Sequence, residues 1–340
     1  MTLRVGFLGA GNIATYHSKS LRASGEDVER SLVFDPDLDR SEAFAMASGA
    51  DVATSADHVI EHSDAVYVCT WTSEHEALVA RAAEAGVAVF CEKPLGTTLT
   101  SAARMVEVVE RSGVTNQVGL ILRRSPVFHL LKQLGEDDAS GDLITVVFRD
   151  DQFLPIRGMY ASTWRADVEK AGAGVLLEHS IHDVDLLEWM YGPITSVSAS
   201  TRFLHGIPGI EDSAVAHYQF ANGVHATLTS VWHDLLERQS NRQVEVFGST
   251  LWAQLTGEWF GEVRWSHEGV GGGKVEQRSG AAVTEAVRDP LAGENPDGAF
   301  IRAVRDGRSA YPTMADALRA HIVVDATYRS AAAGGALITI

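Results

Sequence analysis

The sequence predicts a doubly wound parallel α/β domain, followed by a second α/β domain built on a large, mostly antiparallel open sheet. Three observations predict it. The first 120 residues alternate short apolar runs with amphipathic stretches, a glycine-rich turn joins the first such pair, and beyond residue 120 strand-like runs follow one another directly. At 340 residues the chain reads as two domains, 1–120 and 121–340.

In the first domain, residues 3–8 have the length and apolarity of a buried strand, and 13–23 the pattern of an amphipathic helix. Residues 32–34, 65–70, 87–91 and 117–122 read as further strands, and 40–48, 75–84 and 100–111 as helices. Thr98 or Thr100 is the N-cap of the last helix. In the second domain strands are predicted at 144–149, 194–199, 214–220, 224–232, 244–247 and 251–255. Asn222-Gly223 separates two of them and supplies the positive φ pair of a two-residue type I′ hairpin. Residues 126–134, 176–191, 297–305 and 314–330 read as helices, and the Gly-rich stretch 269–273 as an exposed hairpin or loop. Asp316 lies in the first turn of the C-terminal helix, Gly334-Gly335 follow its end, and this helix is expected to pack back on the first domain. Trp252, Trp259, Phe260 and Trp265 read as sheet core or an oligomer face.

Hydrophobic residues at 45% and charged residues at 21% are ordinary globular usage and argue against a disordered chain. The formal charge of -17 leaves no electrostatic footprint for a polyanion, so nucleic acid is excluded as a partner. Cys69 and Cys91 are the only cysteines, too few for a disulfide framework or a thiolate zinc site; both read as reduced core thiols. The N-terminal apolar run is too short for a secretory leader, and no stretch approaches the ~18 uninterrupted apolar residues of a membrane span. A cytoplasmic protein without membrane association is expected.

Gly9-Ala10-Gly11-Asn12-Ile13-Ala14 fits G-x-G-x-x-G/A and lies between the first strand and the first helix. Gly9 permits the tight turn, Gly11 lets backbone approach a pyrophosphate, and Ala14 keeps the helix close to the sheet. The first-turn amides, with Asn12 and Ile13, then point at phosphate. A Gly-rich turn with no ligand is the rival reading. Against it stands Asp35, which closes the second strand at the distance expected of a ribose-binding carboxylate. A 2′-phosphate would meet like charge there, so NAD is favoured over NADP, with Arg40 the one nearby cation that weakens the inference.

Val89-Phe90-Cys91-Glu92-Lys93-Pro94, together with the glycine turn, resembles the Gfo/Idh/MocA oxidoreductases, the glucose-fructose oxidoreductase and inositol dehydrogenase family. The resemblance continues through Cys69-Thr70 before His75, Arg123 and Pro126, Gly172-Ala173-Gly174, the stretch from Glu178 to Asp185, and Arg329-Ser330. It implies a Rossmann domain, then an α/β domain whose open sheet usually mediates a homodimer or homotetramer. It also implies hydride transfer between NAD(P) and a sugar, cyclitol or related alcohol. By the same resemblance Thr70, Trp71, His75, Glu92 and Lys93 line the cofactor site, and Lys93 contacts the substrate oxygen. A cation there lowers the pKa of a hydroxyl about to lose its proton. Read from position alone, Lys93 follows a buried strand at the edge of the sheet where ligands bind in doubly wound folds; a solvated lysine paired with Glu92 is the alternative.

Read as one helix, the stretch from Glu178 to Asp185 turns Leu177, Ile181 and Val184 inward and places Glu178, His182 and Asp185 together on a neighbouring face. A metal site and a structural histidine network are alternatives, the first disfavoured because His179 and His182 diverge and no cysteine or third histidine is near. The preferred reading makes His182 the general base, oriented by Asp185, and expects no metal. Glu178 is a catalytic and substrate-binding candidate that stands where the family commonly has Asp. Trp71 stands where many members have proline, and is either an aromatic wall for a sugar face or a core residue. Arg123, Arg124, Tyr160, Trp164 and Arg165 complete the pocket candidates. The function expected is an NAD-dependent dehydrogenase of a secondary hydroxyl on a sugar, cyclitol or glycoside. An NAD-recycling glycosidase and a non-catalytic dinucleotide sensor are the alternatives.

Overall fold

The computed structural model describes residues 2–268 and 273–340, so the predicted loop at 269–273 falls, except for Gly273, outside the described residues. The chain divides into two compact units. One comprises Met1–Leu120 and Glu294–Leu318, the other Ile121–Gly293 and Arg319–Ile340.

The first unit is a six-stranded sheet of β1 (Leu3–Leu8), β2 (Val28–Phe34), β3 (Asp51–Val52), β4 (Ala65–Val68), β5 (Ala88–Cys91) and β6 (Asn116–Val118). Its order is β3-β2-β1-β4-β5-β6 and every neighbouring pair is parallel. Helices α1 (Asn12–Ser24), α2 (Leu38–Ser48), α3 (Ala56–Glu61), α4 (Thr72–Glu84) and α5 (Leu99–Ser112) alternate with the strands. Strands β4 and β5 are buried throughout, which is why they read as unbroken apolar runs. Successive side chains go to opposite faces. Val66, Val68 and Val89 pack with Leu78, Val79 and Met105, while Tyr67 stacks with both Phe7 and Phe90, and Tyr67 and Phe90 each meet Phe300 edge-on. Phe300 belongs to the helix Pro296–Asp306, whose Asn295 cap accepts a bond from the Gly298 N–H at 2.9 Å. Thr98 caps α5, accepting from the Ser101 N–H at 3.1 Å.

Two short elements, β3 and α3, were not predicted; neither is long enough to show a period. The strand predicted at 117–122 ends at Val118, and residues Ile121–Arg124 form a 3-10 turn.

The second unit carries β7 (Leu143–Phe153), β8 (Ile194–Arg202), β9 (Ser213–Phe220), β10 (His225–His233), β11 (Asn241–Gly248), β12 (Leu251–Thr256), β13 (Glu262–His267), β14 (Glu276–Ser279) and β15 (Ile338–Thr339). Their order is β14-β13-β12-β11-β7-β10-β9-β8-β15, antiparallel except for the β7–β10 pair. One face meets the helices Pro126–Gly135 and Ile181–Tyr191 in a core that includes Phe128, Phe148, Leu187, Val246 and Trp265. The other face leaves Val147 and Phe247 exposed and Trp252 half-buried. Phe260 is exposed in the turn between β12 and β13 and belongs to neither core nor strand.

The β9–β10 hairpin forms, but its turn is not type I′. Only Gly223 has positive φ, at 88°, and Asn222 does not. The Gly223 N–H bonds the Phe220 carbonyl at 3.0 Å and the Phe220 N–H bonds the Val224 carbonyl at 2.9 Å, closing a three-residue loop. Such a loop is a type I turn followed by a left-handed glycine. Asn222 has its own role, donating to the Tyr191 carbonyl at 2.9 Å.

The helix predicted over 176–191 is likewise two pieces, Val175–Glu178 and Ile181–Tyr191, parted at His179 and Ser180. The Ser180 N–H bonds the Val175 carbonyl at 2.9 Å, five residues back, so the first piece closes wide before the second begins. Asp150 pins the break, with His179 Nε2 at 2.9 Å and the Ser180 hydroxyl at 3.3 Å from Oδ2. Glu211 holds the start of the first piece, accepting from the Gly174 and Leu176 N–H groups at 2.7 and 2.9 Å. Gly174 lies so close to Glu211 that an added Cβ would stand 1.9 Å from the Glu211 carbonyl oxygen. Gly174→Ala must therefore separate two backbones and should cost about 1–3 kcal/mol. Urea unfolding checks this as a lower midpoint at unchanged slope; a wild-type midpoint would contradict the packing described.

Candidate active site

Strands β1, β4 and β5 are neighbours, and their carboxyl ends carry three of the predicted segments: the glycine turn, Thr70-Trp71 and Glu92-Lys93. The order of strands reverses between β1 and β4, which is where doubly wound sheets open a crevice for ligands. Gly9 adopts φ 93°, and a Cβ there would stand 2.6 Å from the Cys69 carbonyl oxygen, so a side chain at this point would force the ends of β1 and β4 apart. A Cβ on Gly11 would meet nothing within 4 Å. Gly11 caps α1 without a side-chain bond, and no acidic residue occupies the first turn, so the N-terminal amides around Asn12 and Ile13 suit an anion.

Asp35 is tied to this turn. One carboxylate oxygen accepts from the Ala10 N–H and the other from the Asp37 N–H, both at 2.9 Å. The half-buried carboxylate is thereby fixed beside the glycine turn. Open space at Gly11, an uncapped helix start and a fixed carboxylate fit a dinucleotide. Among the described residues no cluster of His, Cys, Asp and Glu suits a metal ion.

Lys93 is half-buried. Its segment is held by two buried side chains, His75 and Glu92. His75 Nδ1 lies 2.9 Å from the Pro94 carbonyl and Nε2 3.4 Å from that of Thr70, bridging the two segments. Burial lowers its pKa against these carbonyls. Glu92 accepts from the Lys93 N–H at 3.2 Å and turns its other oxygen to His17 Nε2 at 2.9 Å. Trp71 is 36% exposed at the start of α4 and is not a core residue.

His17 was not singled out from the sequence. It is buried on α1, with Glu92 on one ring nitrogen and Asp297 on the other at 2.7 Å. Burial alone would depress its pKa, but Asp297 and Glu92 outweigh this and raise it from 6.5 to about 10. Its signal lay in the spacing of Ala14, His17, Ser18 and Leu21, the buried face of α1. A histidine on such a face needs acidic or carbonyl partners.

In the second unit the break at His179 removes the shared helical face predicted for Glu178, His182 and Asp185. Glu178 ends one helical piece, and His182 and Asp185 begin the next. All three are buried. Arg165 Nε donates to Glu178 at 2.6 Å and its Nη1 to the Ser162 hydroxyl at 2.7 Å, while the guanidinium lies 4.7 Å over the Trp164 ring. Both Asp185 oxygens accept from Arg123, at 2.8 and 2.6 Å. Tyr160 is half-buried, which raises its pKa. Arg124 is buried, and its carbonyl accepts from the Gly293 N–H at 2.7 Å.

Behind His179 lies a second charge cluster that the sequence did not reveal. Arg242 Nε donates to Asp183 at 2.6 Å, and other guanidinium nitrogens reach Asp150 at 3.3 Å and Glu258. Burial pushes Asp150 up, but Arg242 and His179 hold it well below the usual carboxylate range. Burial keeps Asp183 well above that range despite Arg242, helped by the Asp150 charge.

Residues 3–120 match the oxidoreductase family with an NAD-binding Rossmann fold, and residues 128–254 the GFO/IDH/MocA C-terminal domain. The chain is 29% identical to an inositol 2-dehydrogenase of Rhizobium meliloti (strain 1021) over 98% of each chain. It is 31% identical to a scyllo-inositol 2-dehydrogenase (NAD(+)) of Bacillus subtilis (strain 168), over 73% of this chain and 74% of that one. The solved structure of an oxidoreductase domain protein from Kribbella flavida shares the fold over the whole of both chains, with a TM-score of 0.87 at 23% identity. Fold and site thus define an NAD-dependent oxidoreductase of the class acting on CH–OH groups. The chain belongs to the Gfo/Idh/MocA family.

Because the folded pKa of His17 lies above its ordinary 6.5, the stability contributed by the charged ring is complete below pH 6.5 and is lost as pH rises through about 10. The melting temperature of the wild type should fall across that window, and His17→Gln should flatten the fall while lowering the value at neutral pH. Parallel curves for the two proteins would contradict the charged triad.

Proposed function

We propose that this protein oxidises a secondary hydroxyl of a sugar, cyclitol or related polyol, with inositols the first class to test. The observation that carries the reading is the half-buried Lys93 just beyond β5, at the same end of the sheet as the glycine turn and Asp35. The likeness to inositol 2-dehydrogenases supports the substrate class.

Bound NAD supplies a hydride acceptor at the nicotinamide ring. The chain's own residues do the rest. Asp35 holds the ribose and selects against a 2′-phosphate. The Lys93 ammonium stabilises negative charge developing on the substrate oxygen. His182 takes the hydroxyl proton as general base, an imidazole being suited to that exchange near neutral pH. As the carbon-bound hydrogen leaves with its electron pair, the C–O bond becomes a carbonyl. The Arg165–Glu178 pair orients neighbouring hydroxyls and Trp164 offers a flat apolar wall. His75 and Glu92 support the site through the backbone they hold.

A homodimer or homotetramer formed through the bare face of the nine-stranded sheet completes the reading; exposed Val147 and Phe247 and half-buried Trp252 support it. Cytoplasmic residence is supported by two buried free thiols. Among the described residues no helix is long and apolar enough to cross a membrane.

Nicotinamide absorbance with NAD or NADP and a panel of inositols, aldoses and glycosides tests the proposal. Wild type should reduce NAD in preference to NADP. Lys93→Ala should lower kcat/KM by roughly 10²–10³-fold, and His182→Asn by roughly 10²–10⁴-fold with loss of the acidic limb of the pH profile. If no polyol reduces either cofactor although NADH binds, the reading is overturned; release of an aglycone without net reduction would point to cofactor recycling.

A further inference from the structure

The buried triad of His17, Asp297 and Glu92 is larger than a cap or a loop tether requires. His17 has no exposed surface, and its ring lies against Phe90 at 4.7 Å and Tyr67 at 5.4 Å. Asp297 is as deeply buried, with the Tyr67 hydroxyl facing it, and burial with the facing carboxylate pushes that phenol well above its ordinary pKa. Two carboxylates and one ring withdrawn from water are an expensive way to fasten helices that already share an apolar core. What distinguishes the arrangement is where it leads. His17 rides on α1, the helix that opens at the glycine turn, and Glu92 passes the contact on to the Lys93 N–H at 3.2 Å. Space for this is kept by Gly119, where a Cβ would stand 2.3 Å from the Glu92 oxygen that meets His17.

We propose that His17 is a positioning residue for hydride transfer: through Glu92 it fixes the Lys93 segment to the phosphate-binding helix, with Asp297 anchoring the ring from behind. The inference rests on the role given to Lys93 above. Neither His17 nor Asp297 touches a reactant; both act by holding the lysine in register with the glycine turn. A link of this kind adds nothing to the affinity for dinucleotide, whose partners are the turn amides and Asp35. It acts on the chemical step, which falls steeply when a reacting group is misplaced by about an ångström.

The test uses the intact chain with NAD and the polyol that the panel selects. His17→Gln removes the cation. Gly119→Ala leaves all three members in place and forces the Glu92 carboxylate off His17. Both variants should keep the NADH dissociation constant, read by fluorescence, and the polyol KM within 3-fold of wild type while kcat falls at least 10-fold. Hydrogen–deuterium exchange, which needs no substrate, should speed at least 10-fold over residues 91–97 and stay unchanged over β6. Unchanged kcat with unchanged exchange at 91–97 overturns the proposal. So does uniformly faster exchange across the unit with NADH affinity and kcat falling together, which is what a merely structural triad gives. If His17→Gln does not fold, Gly119→Ala decides alone. If wild type oxidises no polyol, the proposed function fails, and the exchange measurement still decides whether His17 holds the Lys93 segment.

Discussion

One buried cation organises the first unit. The imidazolium of His17 stands between Asp297 and Glu92, residues 280 and 75 positions away in the chain, and ties helix α1, the segment after β5 and the helix Pro296–Asp306 to one point. Removing any of the three leaves an uncompensated buried charge or an unsatisfied ring, so the sites of all three are constrained together. The segment Glu294–Leu318 belongs to the first unit for the same reason, reinforced by Phe300 against Tyr67 and Phe90. The glycine turn and Lys93 are both linked to this point, one through α1 and the other through Glu92.

The second unit solves a related problem with a different charge balance. Arg242, buried between Asp150 and Asp183, holds both carboxyl groups, and Asp150 in turn pins His179 and Ser180 where the helix breaks. The break decides which way the ionisable side chains of this segment go. A continuous helix would have set Glu178 and His182 one turn apart; the broken one lets Glu178 meet Arg165 at 2.6 Å and starts a fresh helix at Ile181. The buried Glu178 carboxylate is thereby held in an ion pair with the half-buried Arg165.

What the sequence disclosed and what it hid separate along physical lines. The parallel sheet, the glycine turn and the placing of Asp35 and Lys93 at the ends of strands were legible because each depends on local constraints: a strand apolar on both faces, a turn only glycine can make, a charge at a strand's end. The cap of α5 was legible as one of two threonines, and the structure takes Thr98. The type I′ turn failed because Asn-Gly fits two hairpin loops, and the longer one lets Asn222 bond the Tyr191 carbonyl. The helix break carried no Pro or Gly at His179-Ser180; it is imposed by Asp150 and Glu211, which lie about thirty residues away on other elements. His17 and Asp297 each looked like an ordinary polar helix residue, and only their meeting across the sequence shows what they do.

The account reduces to one chemical assertion, that a carbon-bound hydrogen passes from a polyol to the nicotinamide beside Lys93. Deuterium placed on the carbinol carbon of the polyol that wild type oxidises tests it most directly, with the cofactor recovered and weighed by mass spectrometry. The account predicts one deuterium per cofactor reduced, and a primary isotope effect on the wild-type rate that grows in Lys93→Ala as hydride transfer becomes more fully limiting. Reduced cofactor without deuterium, or deuterium returned to a cleaved sugar with no net reduction, would contradict it.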